Sequence, residues 1–168
     1  MHLNFPMILV AALVPMIMGF IWYNPKVLGT AWMKAADVSQ EKMKGANMAV
    51  IFILAFVFSF LLAFEMQFVV IHQFHVYSML NHFLDTNNPS YSPDVVNYVK
   101  DMMDKYGNEF RTFKHGALHG TIAALLLVLP VMGTNALFER KGFKYIAINM
   151  GFWIINLAIM GGIVCAFP

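Results

Sequence analysis

Long apolar runs alternate with polar connections along the chain, and four runs approach or exceed the roughly 20 residues that a helix needs to cross hydrocarbon. They are Phe5 to Tyr23, Ala49 to Ile71, Gly116 to Leu137 and Phe143 to Phe167. The pattern predicts an all-α integral membrane four-helix bundle, with residues 1–168 forming a single transmembrane domain. Past Ile71 the helical period continues through His72, His75, Met79 and His82, so the second helix is expected to run from about Glu41 through the membrane and beyond it. After the turn-forming stretch Asp85 to Pro93, Ser92 is a candidate N-cap, Pro93 a first helical residue and Gly107 a stop. Between them Val95, Val96, Val99, Met102, Met103 and Tyr106 share one face, which makes 72–114 an outer helical hairpin, or cap.

The first connection has its own pattern. Pro25 ends the first helix, and Trp22, Tyr23 and Trp32 are aromatics of the kind that settle at headgroup level, so Lys26 to Met33 is expected to form an interfacial inner-loop helix. Asp37 with Gln40 resembles a capping box for the helix that follows. The first span ends in Trp22, Tyr23, Asn24 and Pro25 with no small-residue cleavage site, and is expected to be retained rather than removed as a signal.

Composition supports the membrane reading: 60% of residues are apolar, 12% are charged and the mean hydropathy is +0.64, against the roughly 45–50% apolar share of soluble domains. A net charge of +2 with no basic stripe excludes a nucleic-acid footprint, leaving membrane lipid as the first partner. Cys165 is the only cysteine, so no intramolecular disulfide and no cysteine-based zinc finger is possible. Lys26, Lys34, Lys42 and Lys44 in the first connection, with Arg140, Lys141 and Lys144 around the third, mark one side as cytoplasmic. The second connection dilutes Lys100, Lys105, Arg111 and Lys114 with five acids, so it and both termini are expected outside.

Candidate chemistry starts from Glu65, a lone carboxylate deep in the second span. Such a group costs about 2–3 kcal/mol in hydrocarbon even on lenient scales, so it calls for a partner or a wet cavity. At about 1.5 Å per residue, Glu65, His119 and Asn156 fall in one layer near the outer face, with His72 and His115 one or two turns above. These five residues form the expected buried polar cluster. His115 and His119, four apart, share a helix face, and imidazoles suit zinc, copper, iron or nickel, but without an HExxH glutamate the pair is no protease signature and the metal identity is undetermined. Haem between two histidines lacks an attachment motif, and no cofactor is expected. The simplest reading is an interhelical hydrogen bond between His119 and Glu65, since buried polar groups usually have an ordinary partner. Gly116 and Gly120 form a small-residue ridge for helix packing; Gly151 and Gly162 form another, facing either this chain or a second copy in a homo-oligomer or another membrane protein.

The segment WYNPKVLGTAWM, Trp22 to Met33, resembles the stretch after the first span in domain of unknown function family 1761, small bacterial membrane proteins with four helices. The likeness extends through ANMAVIF and more loosely to the last two spans, and the connection from about His75 to Lys114 is longer than is usual there. The resemblance implies a multi-pass protein of the bacterial cytoplasmic membrane and supplies no catalytic residues. A non-enzymatic structural or accessory role is therefore expected first. Proton-coupled or small-solute transport through Glu65 and His119 is the alternative, and a metal- or haem-binding membrane enzyme comes third.

Overall fold

The computed structural model describes residues 3–167 apart from the side chains of Gln40 and Met43. Among the described residues, nine α-helices and two π-helical turns make an all-α membrane bundle: α1 (Phe5–Trp22), a π turn (Pro25–Gly29), α2 (Thr30–Ala36), α3 (Gln40–Lys44), α4 (Met48–Val70), α5 (Gln73–Leu84), α6 (Pro93–Tyr106), α7 (Phe113–Ala123), a second π turn (Ala124–Val128), α8 (Leu129–Phe138) and α9 (Phe143–Ala166). Four helices are long and apolar enough to cross a membrane: α1, α4, the run Phe113–Phe138 made of α7, the π turn and α8, and α9.

These four are not equivalent. Helix α9 lies at the centre, packed on α1, α4 and α7, and 61% of its apolar window is buried within the chain, against 11% for α4. Residue size sets this arrangement. Side chains at Gly116 and Gly120 of α7 would collide with the backbone at Gly161 and Leu157 of α9, so glycine permits main chains to touch where any other residue would hold them apart. A side-chain carbon added at Gly151 would come within 2.9 Å of the Trp22 ring, and one added at Gly162 would strike the Phe113 ring. All four ridge glycines are thus used for packing inside one chain. Around this seam Ile8, Ala63, Met66, Leu157, Met160 and Val164 form the buried core.

The third span carries Pro130, which lacks an N–H and presses on the preceding turn. The π turn Ala124–Val128 widens the helix just before it, the usual way a membrane helix absorbs such a residue. Thr112, whose hydroxyl accepts from His115 N, starts this helix three residues before the apolar run begins.

Two expected continuities are broken. Helix α4 stops at Val70, Ile71 is extended (φ −109°, ψ 96°), and His72 opens a separate helix; the run Val69, Val70, Ile71 is β-branched and propagates a helix poorly. Upstream, α3 and α4 are separate, with Asn47 capping Val50 N. The expected capping box is also absent from Asp37, which sits in the left-handed region (φ 57°) and ends α2, while Ser39 Oγ accepts from Lys42 N instead; the Gln40 side chain lies outside the described residues.

At the end holding the first connection, here the aromatic end, the π turn and α2 are tied to α9 rather than lying free along a surface. Asn149 Oδ1 accepts from Tyr23 Oη at 2.9 Å and from Trp32 Nε1 at 3.2 Å, and Trp22 Nε1 donates to Ile148 O at 3.1 Å. Asn24 caps the π turn through Lys26 N, and a side chain at Gly29 would strike Tyr23 O. The Trp, Tyr, Asn, Pro, Gly and Trp of the opening signature therefore form one latch onto α9.

At the opposite end, here the hairpin end, α5 and α6 pack together, Ser92 caps Val95 N, and Val99 is the buried contact of the expected apolar face. Tyr106, expected on that face, is exposed. The hairpin is closed on itself by Gln73 Nε2 donating to Glu109 O (3.0 Å) and tied to the bundle by Arg111 Nε donating to Cys165 O (2.7 Å), which supplies a cation to the last carbonyls of α9.

Candidate metal centre

The break at Ile71 decides the chemistry of the hairpin end, because it turns His72 out of line with α4 and over α7. There His72 Nε2 lies 2.9 Å from His115 Nε2. His119, one turn further along α7, faces both: its ring centroid is 5.0 Å from that of His72 and 4.4 Å from that of His115. One ligand nitrogen from each of the three falls within 4.8 Å of the others.

A tetrahedral zinc ion with Zn–N bonds of about 2.0–2.1 Å separates its ligand nitrogens by about 3.3 Å. The three imidazoles bracket that spacing, the nearest pair being slightly too close, so small rotamer shifts bring them onto a cation. Three imidazoles without a carboxylate suit a borderline transition metal and leave a fourth position for water or another ligand. Haem does not fit: His72 and His115, in direct contact, leave no room for a porphyrin between them.

The surroundings hold the three rings. Phe110 stacks at a tilt on His115, with centroids 5.2 Å apart, and its own backbone is left-handed (φ 62°), an uncommon and strained state for an aromatic residue. Its carbonyl accepts from Thr112 N at 2.8 Å and from Cys165 Sγ at 3.4 Å, which fixes that strained turn between α6 and α7. His72 is solvent-exposed and His115 and His119 are half-buried, so an ion can enter from one side. A cleft of about 180 Å³ lined by Met102, Met103 and Tyr106 opens beside His72. Crowding that withdraws water, together with the facing His119 and His75, holds the His72 imidazole below its ordinary range.

Of the five residues expected to form one buried polar cluster, three meet and two do not. Glu65 is exposed on the face of α4 opposite its core contacts Ser59, Ala63, Met66 and Val70, and no hydrogen bond or ion pair joins it to His119 among the described residues. Depth along the helix matched; direction around it did not. Asn156 is fully buried in the core, with Nδ2 donating to Phe152 O at 2.7 Å and Oδ1 without a partner among the described residues. Of the remaining histidines on the expected stripe, His75 is exposed and His82 pairs with Asn88 at 3.2 Å, so the break leaves them behind. Asn149 as a double acceptor and Arg111 as a helix-end cap were not read from the sequence; a polar residue in a span opposite an aromatic-rich loop was the available signal for the first.

The fold and the cluster together define a class: a four-span helical membrane protein with three histidines gathered at one end. The chain belongs to the family described as protein of unknown function DUF1761, whose family model matches residues 6–165. No curated protein and no solved structure matches it.

Proposed function

We propose that the protein is a membrane-embedded accessory protein that binds one divalent transition-metal ion, zinc or copper, through His72, His115 and His119. The convergence of three imidazole nitrogens within 4.8 Å, drawn from two separate segments of the chain, supports this reading. Three imidazoles make a ligand set, and metal binding is the activity proposed. Cobalt(II) titration of the purified, tag-free protein tests it: one equivalent should give the intense visible bands of a tetrahedral nitrogen site, displaced by zinc. His115→Ala should abolish the bands, and His82→Ala should leave them intact. Octahedral-type weak bands only, or bands unchanged by His115→Ala, would refute the site.

In the same reading the protein lies in the bacterial cytoplasmic membrane with both termini and the hairpin end outside. Seven basic residues, Lys26, Lys34, Lys42, Lys44, Arg140, Lys141 and Lys144, gather at the aromatic end, against Lys100, Lys105, Arg111 and Lys114 at the other, which supports this orientation. With Cys165 replaced by Ser and Ser90 by Cys, an impermeant thiol reagent should label intact cells. Protection until lysis would reverse the orientation and place the histidines inside.

A further inference from the structure

The Glu65 carboxylate, which has no partner among the described residues, belongs to a seam. Ile51, Leu54, Phe58, Leu61 and Glu65 follow one another at steps of three, four, three and four residues, and all five are exposed on α4. That 3-4 repeat is the spacing by which two parallel helices pack at a shallow angle with each position meeting its own copy. Lipid alone satisfies the four apolar members. It does not satisfy Glu65, about one and a half turns below the end of α4, where an isolated carboxylate is costly and where no other residue of α4 carries charge.

We infer that α4 pairs with α4 of a second copy of this chain across a two-fold axis along the membrane normal, bringing the two Glu65 carboxyls together. Both copies insert the same way, so their helices are parallel and in register, and Glu65 necessarily faces Glu65. Polar side chains brought together across a helix–helix contact hydrogen-bond to one another in hydrocarbon, a pairing that lipid tails do not provide. The exposure of α4 fits the same arrangement, since only 11% of its apolar window is covered within the chain. The metal centre is not needed for this contact, and the two stand or fall separately.

Cross-linking in native membranes tests the pairing. In a Cys165→Ser background, where serine can still donate to Val70 O and Phe110 O, Leu61→Cys and Leu54→Cys should form covalent dimers with a short bis-maleimide. Leu126→Cys, more exposed than either but on the third span, should not. Adding Glu65→Leu should lower the cross-linked fraction at Leu61→Cys about tenfold, while Glu65→Gln, whose amide can also pair with itself, should keep most of it. Monodisperse elution and unchanged helical content show that each variant is folded. Cross-linking at Leu61→Cys no greater than at Leu126→Cys, or undiminished by Glu65→Leu, would overturn the inference.

Discussion

Gly120→Ala is expected to destabilise the bundle by about 2–3 kcal/mol, the upper range for forcing extra atoms into a packed interior, and Gly120→Leu to prevent folding. A side chain there meets the carbonyl and amide backbone of Leu157 and Ala158, not the mobile tip of a side chain, so α7 and α9 must separate as whole helices. In most helices the same change to alanine is favourable by about 0.5–1 kcal/mol, because glycine is a poor helix former. Gly19 supplies that control within this protein: nothing lies within 4 Å of an added side-chain carbon there, and Gly19→Ala should leave the melting temperature unchanged or raise it. Thermal unfolding in detergent distinguishes the two positions. Equal melting of the Gly120→Ala variant and the wild type would mean that α7 and α9 do not approach at main-chain distance.

Asn149→Leu is expected to cost about 2–4 kcal/mol, because it strips the acceptor from two half-buried donors, each worth about 1–3 kcal/mol when left unpaired. Tyr23 Oη and Trp32 Nε1 both point at Asn149 Oδ1, and both rings pack together with centroids 5.3 Å apart. Loss of the latch should therefore release the first connection, read as a red shift of Trp32 fluorescence alongside the lowered melting temperature. Tyr23→Phe removes one donor and leaves Trp32 bonded, so it should cost roughly 1 kcal/mol, and combining it with Asn149→Leu should be less than additive. Burial pushes the Tyr23 phenol above its ordinary range, with Tyr145 adding to the shift. A raised acid pKa in the folded state contributes stability that is present below the unfolded pKa of about 10 and is lost as pH rises beyond it. The alkaline fall in stability should accordingly be shallower in Tyr23→Phe.

The spans and the hairpin were legible because apolar length and caps are local properties. Ser92 at the start of α6 and the four apolar runs can be read without knowing what they touch. Boundaries moved where a local rule had competition: Asp37 yielded its capping role to Ser39, and the helix expected to continue past Ile71 broke within a β-branched run.

Sequence by itself determined the solvent of this protein, its number of candidate spans, the positions of its polar groups along each span, and the small residues that allow helices to touch. Only the tertiary structure decided which polar groups face each other. Counting residues gives height along an axis at about 1.5 Å per step, but the direction of a side chain depends on which face its helix buries, and that follows from packing with partners distant in the chain. Glu65 and His119 have the right heights and different directions. His72 reaches His115 only because α4 ends one residue before Ile71, and the glycine-to-backbone contact of α7 with α9 fixes the helix that presents His115 and His119.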